Sequence, residues 1–253
     1  MKVYFVGAGP GNPELLTVRA DRLLRNCRIC IYAGSLVSPA VVAVLPDNAE
    51  RYNSAEMNLD EILAVCRSAR DREIDVIRLH SGDPSIYGAI REQMNGLDEL
   101  GIAYEVVPGV SAFQASAAAL KVELTAPEIA QTIILTRTSG RTPLPEEQDL
   151  DNLARSHATL CIYLSGHKVG EVTAALIPHY GPDCPAAVVY HASWPDEKIV
   201  AGSLGDITGK VEQEEFGQTS LILVGRALAR DIPASKLYDA AFSHQYRKGK
   251  PHD

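Results

Sequence analysis

Apolar runs of strand length alternate along this chain with amphipathic stretches of helix length. In the first half, Lys2–Val6, Arg28–Tyr32, Asp75–His80 and Ala103–Val107 have the length and composition of strands. Between them, Pro13–Asn26, Pro39–Leu45, Leu59–Arg70, Ile86–Leu100 and Ser111–Leu120 predict helices. In the first of these, Asn12 can cap, Pro13 suits the first helical position, and Leu16, Ala20, Leu23 and Leu24 share a face. This alternation predicts a mostly parallel sheet with helices on both faces.

The stretch Val122–Gln131 (VELTAPEIAQ) breaks the pattern, and a second α/β series follows. Its predicted strands are Thr132–Arg137, Thr159–Leu164, Ala186–His191, Ile199–Gly202 and Thr219–Val224. Its predicted helices are Glu146–Arg155, Lys168–Tyr180 and a stretch around Gly205–Glu214. Ile199–Gly202 follows its predecessor too closely for a helical crossover, so this half is expected to hold a mixed sheet. The expected fold is two α/β domains in tandem, residues 1–122 and 123–240, with a tail over 241–253 that carries Arg247, Lys248 and Lys250 and is expected to fray. A ligand cleft between the two domains is the expected site.

Composition narrows the function classes. The chain has 253 residues, enough for two medium domains, and its net charge of −8 argues against general nucleic-acid binding. No run of about 18 apolar residues exists, so no membrane span is expected. MKVYFVG runs straight into a strand pattern without a signal peptide, and cytoplasm is the expected location. Cys27 and Cys30 form a C-x-x-C, but no second such pair or nearby histidine pair completes a metal site. Two small residues at the start of a buried strand are the simpler reading, and no metal is expected.

Chemistry concentrates in three loops that follow strands. The first is VGAGPGNPELLT, Val6–Thr17. No Lys-Ser or Lys-Thr follows to make a P-loop. Asn12 stands where a dinucleotide fingerprint needs its third glycine, and no carboxylate follows the second strand to hold a ribose. That absence also counts against a common Rossmann-type methyltransferase and against a nicotinamide oxidoreductase. Glycines without phosphate partners allow a tight turn, positive φ and close backbone approach. Gly9 and Gly11 are therefore candidates for making room beside a bulky flat ligand. The second loop is LHSGDPSIYGAIREQ, in which Asp83 can cap the following helix or accept from a ribose or ammonium group. The third is PGVSAFQASAAA, where small residues allow close approach to a ligand. Three such loops at strand carboxyl ends point to one binding site.

VGAGPGNPELLTVRA, SGDPSIYG and VVPGVSAFQASAA, in this order and spacing, resemble the tetrapyrrole methylases, S-adenosylmethionine-dependent enzymes that methylate uroporphyrinogen and the precorrins. TIILTRTSGRTPLPE, ATLCIYLSGHK, PAAVVYHASWPDEKI and QTSLILVGRA extend the resemblance from Lys2 to about Arg226. It implies a homodimer, S-adenosylmethionine as methyl donor and a tetrapyrrole as substrate. It also implies cofactor contacts at Pro10, Ser81, Gly82, Asp83, Ile86, Tyr87, Ser111, Ala112, Leu164 and Ala192. Ser81 departs from the glycine often found at its position.

A substrate rich in carboxylates needs local cations on an acidic chain. Arg91, Arg137 and Arg141 are the candidates, since a guanidinium fork matches a carboxylate. No general base is identified, and His80 at the end of a buried strand reads as structural. A protein that binds a tetrapyrrole without catalysis is the reading of a different class.

Overall fold

The computed structural model describes residues 1–140, 143–163, 165–214, 216 and 219–249, with the side chains of 167 and 238 outside that description. The chain divides into two compact units, Met1–Ala119 with His191–Lys198, and Leu120–Tyr190 with Ile199–Asp253.

The first unit is a parallel sheet of β1 (Lys2–Gly7), β2 (Ile29–Tyr32), β3 (Glu50–Asn53), β4 (Val76–His80) and β5 (Ala103–Val107), in the order β3-β2-β4-β1-β5. Alternate residues of each strand feed opposite cores. Val6, Cys30, Ile77 and Leu79 bury against Leu24 of α1 (Val18–Arg25) and Val41 of α2 (Pro39–Val42). Val3, Phe5, Ile31 and Val76 bury against Ile62 and Cys66 of α3 (Leu59–Asp71) and Leu97 of α4 (Arg91–Glu99). From β1 to β3 the chain steps one way across the sheet, and from β3 to β5 it steps back. Right-handed crossovers then put α1 and α2 on one face and α3 and α4 on the other. The neighbours β1 and β4 thus send their loops to opposite faces, which opens a crevice at their carboxyl ends.

The second unit is the expected mixed sheet: β6 (Ile133–Arg137), β7 (Thr159–Tyr163), β8 (Pro185–Tyr190), β9 (Lys198–Ser203) and β10 (Ser220–Val224), in the order β6-β7-β10-β8-β9. β6 runs parallel to β7, while β10 runs antiparallel to β7 and β8. Leu160, Ile162, Val188 and Ile222 pack with Leu176 of a helix over Val169–Tyr180.

Several expected elements differ. The helix over Pro13–Asn26 is two pieces, a 3-10 turn Pro13–Leu15 capped by Asn12 and then α1, capped by the Thr17 hydroxyl. The helix expected from Ile86 starts at Arg91. The helix around Gly205–Glu214 is reduced to Ile207–Val211, and Glu146–Arg155 splits into a 3-10 turn and Leu150–Ala154. β3 was not expected, because ERYN at a sheet edge has no apolar run. In the tail, the Arg247 guanidinium folds back to donate to the carbonyls of Leu237 (2.7 Å) and Asp239 (2.6 Å), and residues 250–253 of the tail lie outside the described residues.

Candidate active site

Three strand ends of the first unit meet backbone to backbone. A methyl group on Gly7, the last residue of β1, would stand 2.6 Å from the Gly82 carbonyl oxygen and 2.6 Å from the Gly109 Cα. One on Gly109 would stand 2.2 Å from the same carbonyl oxygen. Side chains are therefore excluded where the loops after β1, β4 and β5 converge. Gly9 and Gly82 then form a two-bond antiparallel bridge, Gly82 N donating to Gly9 O at 2.9 Å and Gly9 N to Gly82 O at 3.3 Å. Both are left-handed, with φ of 68° and 62°, which a side chain would strain. The glycines serve close approach and positive φ.

Asp83 ties this junction together. Its Oδ2 accepts from Gly109 N at 2.9 Å, and its Oδ1 accepts from Ser85 N at 2.8 Å and from the Ser85 hydroxyl. Burial alone would raise its pKa, but the Ser85 and Gly109 donors outweigh burial and hold the carboxyl below its ordinary value. The helix-capping alternative fails: the next helix begins at Arg91, and Asp83 instead fastens the β4 loop to the β5 loop.

Beside the first loop stands Trp194, the single tryptophan of the chain. Its Nε1–H donates to the Pro10 carbonyl at 2.7 Å. A methyl group on Gly11 would lie 2.0 Å from the indole Cδ1. The room that Gly11 was expected to leave for a flat ligand is filled by the indole. Asn12 N donates to the Ser193 hydroxyl at 3.0 Å, a second link between the same two loops. The His191 ring stacks on the indole at 4.1 Å, and its Nδ1 lies 2.9 Å from Asp196. His191 and Ser193 are both left-handed, with φ of 48° and 69°, so His191–Lys198 is a strained loop held by its own bonds. Of this loop the sequence marked only Ala192, through the methylase resemblance, and not the links of Ser193 and Trp194 to the first loop. A lone tryptophan between two turn-forming stretches was the available signal.

The family model of Tetrapyrrole (Corrin/Porphyrin) Methylases matches residues 2–208. The chain belongs to that family. It is 50% identical over 99% of its length to the precorrin-4 C(11)-methyltransferase of Pseudomonas aeruginosa, all of which is covered. Among solved methylases, a cobalamin biosynthetic enzyme, cobalt precorrin-4 methyltransferase, is similar with a TM-score of 0.87 and 41% identity, over 90% of this chain and 96% of that one. The uroporphyrin-III C-methyltransferase of Thermus thermophilus, complexed with S-adenosylhomocysteine, is similar with a TM-score of 0.74 and 28% identity, over 90% of this chain and 99% of that one.

The residues that the methylase resemblance marked fall as follows. Ser81, Gly82, Asp83, Ile86 and Tyr87 lie on the loop after β4, with Tyr87 48% exposed. Ser111 is buried, with its Cα 3.6 Å from where a Gly82 side chain would begin, and Ala112 opens α5 (Ala112–Leu120). Pro10 and Ala192 lie on the two loops that Trp194 joins, and Ala192 is buried. Arg91 is exposed at the first turn of α4. In the second unit, Arg137 ends β6 and donates to the carbonyls of Thr138 and Pro143, each at 3.3 Å. Leu164 and Arg141 lie outside the described residues.

His80 ends β4 with its side chain buried and its Nε2 without a hydrogen-bond partner among the described residues. Burial, helped by the nearby Arg78 guanidinium, pushes its pKa down to about 3, so it stays neutral. All five cysteines are free and buried, and among the described residues no His, Cys, Asp and Glu cluster fits a metal ion. No helix among the described residues is long and apolar enough to cross a membrane.

Proposed function

We propose that the chain methylates precorrin-4 at C11, giving precorrin-5 in cobalamin biosynthesis, with S-adenosylmethionine as donor. The observation that carries this is the backbone cradle at the ends of β1, β4 and β5, within a family whose members methylate tetrapyrroles. It lies where two neighbouring loops leave for opposite faces of a parallel sheet, a place suited to a small-molecule ligand. Gly82, Ser111 and Ala112 keep side-chain bulk away from it, so the residues fit a nucleoside-sized donor.

The residues we assign to the donor are Pro10, Ser81, Gly82, Asp83, Ile86, Tyr87, Ser111, Ala112 and Ala192, together with Leu164. Bound S-adenosylmethionine supplies an electrophilic methyl group, which an electron-rich ring carbon accepts in line. The protein's task is orientation, with reacting atoms roughly 3–3.5 Å apart. No protein nucleophile is required. Asp83 serves by fixing the cradle, since both its oxygens already bind protein donors. Arg91, Arg137 and Arg141 are the cations proposed for the substrate carboxylates. Gly9 and Gly11, also proposed to border the substrate, act through the backbone shape they permit.

The working form we propose is a cytoplasmic homodimer, without a nucleic-acid or membrane partner. The proposed domains are residues 1–122 and 123–240 with the tail 241–253, and His191–Lys198 works as part of the first. The likeness to a cobalt precorrin-4 methyltransferase supports a second reading in which the substrate already carries cobalt. The deciding experiment incubates the protein with methyl-labelled S-adenosylmethionine and either precorrin-4 or its cobalt complex. Label at C11 of one substrate supports the assignment and selects between the two. Tetrapyrrole binding without transfer of label to either would make the protein a carrier and overturn it.

A further inference from the structure

Arg78 lies in the middle of β4, the central strand of the first sheet, and is 6% exposed. Among the described residues its partners are all neutral: Gln93 Oε1 at 2.8 Å from its Nε, and the carbonyls of Ile31 (3.3 Å) and Leu79 (3.4 Å) from its Nη1. Burial lowers its pKa to about 10, which still leaves it charged at neutral pH. A buried cation without a carboxylate is a poor source of stability, and an apolar side chain of similar size would serve the core better. Its geometry points to another use.

Gln93, in the first turn of α4, is also 6% exposed. Arg78 is donor-only, so it fixes the Gln93 oxygen inward and turns the amide NH2 the other way. That group donates to the Ala89 carbonyl at 2.7 Å. A relay thus runs from the buried centre of the sheet to the exposed end of the β4 loop. The loop needs holding. Tyr87 and Ala89 are left-handed, with φ of 55° and 47°, and neither is glycine. Gly88 between them presses on Pro84, where an added methyl would stand 2.0 Å from the carbonyl oxygen. Asp83 fastens the front of this segment to Gly109, and the Arg78–Gln93 relay fastens its back.

We propose that Arg78 and Gln93 are positioning residues for methyl transfer, holding the wound segment from Pro84 to Ile90 in the shape that presents Ile86 and Tyr87 to the methyl donor. This rests on the assignment of that loop to the donor in the proposed function. Neither residue needs to touch the donor, and their effect passes through the Ala89 carbonyl.

Q93E separates the two links of the relay. The carboxylate still accepts from Arg78 and now pairs with its charge, but it cannot donate to Ala89 O. The expected result is a melting temperature at or above wild type, at least tenfold faster amide exchange over residues 85–90, and at least tenfold weaker S-adenosylhomocysteine binding. The KM for the donor should rise while that for the tetrapyrrole stays. R78K, which can still donate to Gln93, should keep more donor affinity than R78M. If Q93E fails to fold, R78M/Q93M removes charge and relay together and is read the same way. A folded variant whose exchange over 85–90 and whose donor affinity both match wild type overturns the proposal. So does a loss of melting temperature alone, which marks a merely structural role. Faster exchange over 85–90 in a protein whose wild type binds no S-adenosylhomocysteine would uphold the relay as a loop-holding device and defeat the functional assignment instead.

Discussion

The Nε1–H of Trp194 donates to the carbonyl of Pro10 at 2.7 Å, joining loops that are 184 residues apart in sequence. The same indole stands where a Gly11 side chain would begin, 2.0 Å from an added methyl. The shape of the first glycine loop is therefore set jointly by Pro10, Gly11 and Trp194.

This predicts strong coupling between Gly11 and Trp194. G11A forces the indole aside and should destabilise by about 2 kcal/mol, in the range of overpacking. W194A removes the obstacle, so G11A added to it should cost much less, with a coupling energy of about 1 kcal/mol or more. Denaturant unfolding of the two single variants and the double variant measures it. Additive effects would mean that the indole yields freely to a side chain.

Asp83 predicts a pH signature. Its folded pKa lies below the ordinary 3.8, so its stabilising contribution is complete above that value and is lost as pH falls below it. D83N keeps the size but turns an NH2 toward one of the donors that Gly109 and Ser85 present, and also loses charge-assisted acceptance, costing about 2 kcal/mol near neutral pH. The gap between wild type and D83N should hold from pH 7 to pH 5 and close below 3.8. Chemical unfolding at a series of pH values checks this, and a gap independent of pH would refute the carboxylate's role.

The strand and loop pattern around this site was legible because β1 and β4 are largely buried apolar runs and because glycine-bearing turns follow β1, β4 and β5. What was not legible depends on distant partners. The start of α4 moved from Ile86 to Arg91 because Tyr87 and Ala89 take left-handed shapes, which local propensity disfavours. Gly11 read as open space because its occupant, Trp194, lies far along the chain. β3 escaped notice because Glu50 and Arg51 break any apolar pattern at that edge. The C-x-x-C read as two buried small residues, and Cys27 and Cys30 are free and buried.

His80 predicts a second loss of stability on acidification, over a higher pH range. Its folded pKa near 3 lies below the ordinary 6.5, so burial favours the neutral ring, and the unfolded chain gains a proton that the folded one does not. Stability is then complete above pH 6.5 and falls from there toward pH 3, at about 1.4 kcal/mol per pH unit. H80L should lack this slope and gain roughly 2 kcal/mol on wild type between pH 6.5 and pH 5. Equal slopes in chemical unfolding would show that His80 takes up a proton in the folded state.

Arg137 predicts a split in kinetics. R137M should raise the KM for the tetrapyrrole about tenfold and leave the affinity for S-adenosylhomocysteine unchanged, because one charge-assisted contact is worth roughly 1.5–3 kcal/mol. An unchanged KM for the tetrapyrrole would reject that role for Arg137.

The central claim is that the glycine-lined strand ends form a methyl-donor site. Calorimetric titration of the purified protein with S-adenosylhomocysteine tests it most directly, with NADPH as the comparison and with a repeat in the presence of the tetrapyrrole. The account predicts saturable micromolar binding of the nucleoside and none of NADPH, with D83N weakening the first. Folded protein that binds no S-adenosylhomocysteine, with or without the tetrapyrrole, would contradict it.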